Sequence, residues 1–207
     1  MDRKIIYIGD PMCSWCYGFK PELNKALESI GPDYGFEMIM GGLKPYAQSP
    51  MDENLITFLK GHWKEVSTAT GQPFKYALLE RKDFYYDSEV PSRAVLAVRE
   101  LLPEKEFEFF QHIQHAFYAE NQDTNRPDTY LRILDEMGIS AKDRFLEKFS
   151  SILLKDKTRA EFMRVREMGV SGFPALLLND NGSLKRIGSG YAKADLIVAK
   201  IRQCGRL

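Results

Sequence analysis

Between Lys4 and Gly9 the chain reads KIIYIG, an apolar run rich in β-branched isoleucine whose length suits a buried strand better than a helix. Asp10 and Pro11 break it. From Met12 onward the apolar positions return at Trp15, Phe19, Leu23, Ala26, Leu27 and Ile30, near helical spacing, and the Gly31-Pro32 pair is a stop signal. Gly18 and Pro21 are the places where this helix would bend. FEMIMGGL, residues 36–43, is a second run of strand length, so the first 43 residues predict a β-α-β unit with a right-handed crossover.

The strand signal then disappears from about residue 51 to residue 168. Helical stripes replace it: Asn54 to Thr68 with Leu55, Phe58, Leu59 and Trp63; Ser92 to Leu102 after Pro91; Glu104 to Glu120 with Phe107, Phe110, Ile113, Ala116 and Phe117. Asp128 to Met137 stops at Gly138, Ser140 and Asp143 suggest a capping box, and Lys157 to Met168 stops at Gly169. In residues 170–191 two strand-like runs, ALLL and LKRIG, flank NDNG, whose Asn181-Gly182 tolerates the positive φ of a tight hairpin. A helix over Ala192 to Gln203 closes the chain. The predicted order is β-α-β, helical block, β-β-α, with no Gly/Ser- or Pro-rich linker between the parts. The fold class is therefore α/β: one sheet domain from residues 1–48 and 170–207, interrupted by a helical insertion over 49–169.

Composition narrows the function classes without changing that picture. In 207 residues, 29 basic and 29 acidic side chains cancel, so no field gathers nucleic acid or anionic lipid. No apolar run approaches the roughly 20 residues of a membrane span. The stretch Ile5 to Gly9 is too short for a signal-peptide core and no small-residue cleavage site follows it, so the chain reads as cytoplasmic. Three cysteines do not make a disulfide framework, and in a reducing compartment a close pair points to catalysis or metal.

Cys13 and Cys16 are that pair, in DPMCSWCYGF, residues 10–19. At a strand-to-helix corner Cys13 would meet unpaired N–H groups and the positive end of the helix dipole, which favour the thiolate. Three residues on, Cys16 returns within one helical turn and can attack a mixed disulfide on Cys13. Cys13 thus reads as nucleophile and Cys16 as resolver, a chemistry that needs no metal and no organic cofactor. Two other readings stand beside it: two ordinary buried thiols, or part of a zinc site completed from Cys204, His62, His112 and His115. Cys204 reads as a spectator.

CSWC after an apolar strand, the helical block in mid-chain, and GVSGFPALLL before a terminal β-β-α together resemble the DsbA-like branch of the thioredoxin superfamily, over essentially the whole chain. DPMCSWCYGF is most similar to cytoplasmic members described as predicted disulfide isomerases, FrnE-like oxidoreductases among them. The resemblance implies a thioredoxin-like fold with an all-helical insertion, a redox-active Cys13-Cys16 pair that oxidises, reduces or isomerises disulfides, and a cis-proline loop at Pro174. Phe173 and Pro174 would hold a substrate main chain, and Trp15 would be an exposed aromatic contact. Implied partners are protein or peptide thiols and disulfides, with glutathione as a further candidate, and neither nucleic acid nor membrane. Two departures matter. Relatives carry a buried acid six residues before the first cysteine, where this chain has Tyr7, read here chiefly as core packing. The dipeptide between the cysteines is Ser14-Trp15. Asp10 reads as a solvated turn residue and Pro11 as the corner, while Met38, Met40 and Met51 read as core. The rival within the superfamily is the glutathione-dependent kappa-class transferase and hydroxychromene-carboxylate isomerase type, whose site is serine-centred; two cysteines count against it. A zinc-binding or interaction module is the rival from outside.

Overall fold

A computed structural model describes residues 3–204. Strand β1 (Arg3–Gly9) lies inside a four-stranded sheet, with β2 (Gly35–Met40) parallel on one side and β3 (Ala175–Asp180) antiparallel on the other; β4 (Ser183–Ser189) pairs antiparallel with β3, giving the order β2-β1-β3-β4. That position explains why β1 is apolar throughout rather than alternating. Its pleat sends Ile5 and Tyr7 to one face, packed with Leu176 and Leu178, and Ile6 and Ile8 to the other, packed with Ile39, Ala175 and Leu177. Both faces are covered, so both sets must be apolar.

Helix α1 (Ser14–Ile30) connects β1 to β2. Gly18 serves packing in this helix: a Cβ there would come within 2.8 Å of Val66 and Thr70 on α2 (Glu53–Thr70), so its bare backbone sets how closely α1 and α2 approach. The remaining helices are α3 (Glu89–Leu101), α4 (Glu106–Glu120), α5 (Pro127–Glu136), α6 (Lys142–Ser150) and α7 (Ile152–Glu167), and α8 (Ala194–Cys204) follows the hairpin. The hairpin turn uses Asn181 at φ 53° and Gly182 at φ 92°, with the Asn179 side chain accepting the Gly182 N–H at 2.8 Å.

Several helix boundaries and faces differ from the sequence reading. Ser140 and Asp143 form no capping box: α6 starts at Lys142 with Ala141 at its cap and no side-chain cap bond, since an aspartate is one methylene shorter than the glutamate that reaches back in such a box. The cap goes to Ser151, whose Oγ accepts the Leu154 N–H at 3.2 Å and starts α7 five residues before the expected Lys157. Ile152 and Leu153 in that first turn are exposed, so no apolar stripe marks it. Pro91 lies within the first turn of α3, where a missing N–H costs nothing. Phe58 is off the buried face of α2 and 61% exposed, while Leu59 and Trp63 are buried.

The helices share their core with the sheet. Met12 and Tyr17, at the β1–α1 corner, are packed in one apolar cluster with Leu59, Trp63, Phe84 and Phe117. Along the β2 edge, Glu161 accepts the Met40 N–H at 2.9 Å and Arg99 donates to the Met38 carbonyl at 2.9 Å, so α7 and α3 satisfy an edge that would otherwise be open. Among the described residues no helix is long and apolar enough to cross a membrane.

Candidate active site at the β1–α1 corner

The chain leaves β1 at Gly9, turns at Asp10-Pro11, and enters α1 with Cys13 as its N-cap residue in extended conformation. The turn is closed by the Cys13 N–H donating to the Asp10 carbonyl at 3.1 Å. The cap role is filled by sulfur: Cys13 Sγ accepts the Cys16 N–H at 3.4 Å, in the place usually taken by a Ser or Asp oxygen. The same Sγ donates to the Phe173 carbonyl at 3.4 Å. Phe173 precedes Pro174 across a cis peptide bond, and Pro174 runs directly into β3. Cys13 is thus held between the helix N-terminus and the loop from the far end of the chain.

The two thiols differ in surroundings. Cys13 is 5% exposed and Cys16 1%. Burial, reinforced by neighbouring Cys13, pushes the Cys16 thiol well above its ordinary range, while the Asp10 backbone N–H and the Tyr7 hydroxyl pull it back. A thiolate therefore forms less readily on Cys16 than the bare sequence pair suggests.

Asp10 is fully buried, not a solvated turn residue. Its Oδ1 accepts the Met12 N–H at 2.8 Å, an Asx-type turn, and its Oδ2 accepts the Leu43 N–H at 2.7 Å from the loop after β2. Burial raises its carboxyl to about 6, against the lowering pull of those N–H groups, of Ser88 and of Gly42. Ser88 in turn accepts the Lys44 N–H at 3.0 Å, and the Tyr86 hydroxyl donates to the Met12 carbonyl. One carboxylate therefore joins the cysteine corner to the loop after β2, and Ser88 joins that loop to the start of α3. Asp-x-Met is a local signal for the Asx turn; nothing local marks Leu43 as its second partner.

Trp15 is half-buried. Its ring lies 6.1 Å from His62 edge-on and 6.1 Å from Tyr191, and Phe58 stacks on His62 at 5.4 Å. A row of aromatic rings from α2 to the loop before α8 thus passes beside the cysteines. On the other side, the half-buried Phe173 ring lies over Gly41, where any Cβ would collide with it. Next to it is a cavity of about 420 Å³ lined by Gly41, Gly42, Leu43, Arg166, Val170 and Phe173. Met38, Met40 and Met51 are buried in the core. Cys204 lies at the end of α8, packed against the sheet-side core. His62 faces Glu65 and His115 faces Glu120, each at 3.5 Å. Among the described residues no three His, Cys, Asp or Glu side chains come together as a metal-holding group.

The family model described as the DSBA-like thioredoxin domain matches residues 5–202. A candidate protein disulfide isomerase from Nitrosomonas europaea superposes with a TM-score of 0.90 at 32% identity, covering 98% of this chain and 97% of its own. The cytosolic disulfide reductase DsbM from Pseudomonas aeruginosa superposes with a TM-score of 0.80 at 25% identity, covering 98% of each chain. No curated protein sequence matches the chain.

Proposed function

This chain belongs to the DSBA-like thioredoxin family, and from that premise we propose that it is a thiol-disulfide oxidoreductase working through Cys13 and Cys16. The observation that carries the reading is the double hold on Cys13 Sγ, with the Cys16 N–H on one side and the Phe173 carbonyl on the other. The N–H aims at this sulfur from a helix N-terminus, and the thiolate of the same sulfur is the attacking species. The Cys13 thiolate attacks a substrate disulfide, forming a mixed disulfide and releasing one substrate thiol once it takes up a proton. Cys16 then gives up its proton and attacks Cys13 Sγ; the mixed disulfide breaks, the second substrate thiol leaves with that proton, and the Cys13-Cys16 pair is left as a disulfide, its two electrons having passed to the substrate thiols. Run backwards, the same steps oxidise a dithiol.

Phe173 and Pro174 present main chain beside Cys13 and are the proposed rest for an extended substrate strand, with Trp15 as the aromatic contact on the opposite side. Two chain ends forming the sheet support a division into a thioredoxin-like domain, residues 1–48 and 170–207, and a helical insertion, residues 49–169. A cytoplasmic setting is supported by the likeness to a cytosolic disulfide reductase. There, protein or peptide disulfides are the proposed substrates, reduction or isomerisation the working direction, and glutathione a candidate source of electrons.

The test is the Cys13-Cys16 equilibrium in glutathione buffers of graded potential, read by thiol trapping. A reversible two-electron transition, kept in Cys204→Ser and lost in Cys16→Ser, is the expected result. Thiols that stay unchanged from fully reduced to fully oxidised buffer would remove the redox assignment.

A further inference from the structure

The cavity of about 420 Å³ beside the cysteine corner takes no part in the electron exchange, yet it adjoins the reacting sulfur. Phe173, which lines it, also holds Cys13 Sγ through its carbonyl at 3.4 Å. Its size falls within the roughly 300–1,000 Å³ of small-ligand sites. Two glycines keep it open. The Gly41 N–H donates to the Gly9 carbonyl at 2.7 Å, and a Cβ on Gly41 would stand 2.4 Å from the Phe173 ring. Gly42 has φ 70°, and a Cβ there would stand 2.6 Å from the ring of Phe162 on α7. Leu43 follows, tied by its N–H to Asp10 at 2.7 Å. The wall supplied by the loop after β2 is therefore held to the cysteine corner by hydrogen bonds at both ends.

A second wall comes from the end of α7. Arg166 lies one turn beyond Phe162 on the same helix face, and it is the one charged residue lining the cavity among the described residues. The neighbouring cations of α7 are engaged elsewhere, Lys157 with Glu100 at 2.5 Å and Arg164 with Glu37 at 3.0 Å. Arg166 has no such partner among the described residues. It is not needed at the helix end either, because Arg186 donates to the Gly169 carbonyl at 3.1 Å. Ser171 also lines the cavity, and its hydroxyl makes no hydrogen bond among the described residues. An unpaired guanidinium, an unpaired hydroxyl and no acid, next to the reacting sulfur, suit an anion.

We propose that this cavity is a specificity subsite for an acidic side chain flanking the reacting cysteine of a peptide or protein disulfide, with Arg166 as the residue that selects it. The inference rests on the oxidoreductase reading above and names the class of substrate for that same site. Aspartate and glutamate are the anions a peptide carries beside a cysteine, and their carboxylate matches the fork of a guanidinium. With the substrate sulfur at Cys13, the Phe173 main chain lies between it and the cavity, so the flanking side chain and the sulfur are held by one loop.

Two acetylated, amidated peptides test this, Gly-Glu-Cys-Glu-Gly and its counterpart Gly-Gln-Cys-Gln-Gly, each oxidised to its intermolecular disulfide. The rate at which each oxidises the reduced protein, followed by thiol trapping, is expected to favour the glutamate peptide about three- to tenfold at low ionic strength. Arg166→Gln should remove that preference and Arg166→Lys should keep part of it, since an ammonium lacks the fork. Arg144→Gln, which takes an exposed cation from α6, should leave it intact. Equal rates for the two peptides in the unmodified protein, a preference that survives Arg166→Gln, or one lost as fully in Arg144→Gln would each overturn the subsite. The first of these needs no variant to fold. A third peptide, acetyl-Gly-Gln-Cys with a free C-terminus, separates a side-chain carboxylate from a terminal one: a preference for it alone would overturn the acidic-residue assignment. Dithiobis(nitrobenzoate) reports the chemistry beneath, because Cys13 releases one coloured thiolate on attack and Cys16 releases the second on resolution. A missing second phase in the unmodified protein would overturn the dithiol reading; normal phases with equal peptide rates would overturn the subsite alone.

Discussion

At the β1–α1 corner the groups that matter are placed by single hydrogen bonds to backbone. Cys13 Sγ is set by one N–H and one carbonyl, and Asp10 by two N–H groups, one 2 and the other 33 residues further along the chain. The layer formed by α2 and α4 is organised differently. Trp63 is met by Tyr118 at 5.0 Å, Phe117 at 5.5 Å and Phe74 at 5.7 Å, and volume rather than bond direction fixes these rings. Change at the corner should alter chemistry while sparing much of the stability; change in the aromatic layer should do the reverse. The two regions meet at Met12 and Tyr17, which belong to the corner in sequence and to the aromatic layer in packing.

Cys13→Ser is expected to have the largest effect on that contrast. The serine oxygen can still cap α1, so the melting temperature should stay within a few degrees while disulfide exchange is lost. Insulin reduction beside a thermal melt reads both. An unfolded Cys13→Ser protein would mean that the corner carries stability as well as chemistry. Trp63→Ala is the converse, expected to cost about 3–5 kcal/mol. Urea unfolding gives that number, and the rate of the first nitrobenzoate phase in the still-folded fraction should match the unmodified protein. A large fall in that rate would show that the aromatic layer sets the cysteine geometry through Met12 or Tyr17.

Asp10 tests the corner from the electrostatic side. Its folded-state carboxyl titrates at about 6 against an ordinary 3.8, so between those values the folded protein holds a proton that the unfolded chain has released. Stability should fall as pH rises through that window, by about 3 kcal/mol for a group so deeply buried, and level off above it. Asp10→Asn has no such charge. It also loses one of two acceptors, a penalty of about 1–3 kcal/mol that does not change with pH. Urea midpoints at pH 4 and pH 7 should therefore fall more for the unmodified protein than for Asp10→Asn. Equal pH dependence in both would mean that the carboxyl is not desolvated in solution.

What could be read from the sequence divides along the same line. The hydrophobic runs announced β1, β2, the two hairpin strands and most helices, because burial of a whole strand and a repeating helical face are local patterns. The cysteine corner was equally visible, since strand, break, C-x-x-C and helix lie within 30 residues. Asp10 was misread as solvated because the groups that answer it, Leu43 and Ser88, come from other elements. Phe58 reads as one stripe with Leu59 and Trp63, yet those two are buried and its own ring stacks outward on His62. Start signals failed where caps were short or first turns exposed, as at Ser140 and Ile152. A pattern records what a residue is. Which residue answers it across the fold is settled by tertiary packing.

The smallest effect is expected at Trp15, and it is the one that tests where the two regions join. Trp15 stands between the cysteines in sequence, yet its ring touches His62 of α2 and Tyr191 near α8. Aromatic contacts of this half-exposed kind contribute about 0.5–1.5 kcal/mol each. If that energy is used to hold substrate, Trp15→Ala should raise KM for a peptide disulfide about two- to tenfold and leave kcat, melting temperature and reaction with the small nitrobenzoate disulfide unchanged. If it is used to hold the insertion against α1, the melting temperature should fall while KM stays put. His62→Ala separates the two further, because it removes the α2 contact and spares the Trp15 ring: a substrate role for Trp15 leaves its KM near that of the unmodified protein, and a structural role makes it resemble Trp15→Ala in the melt.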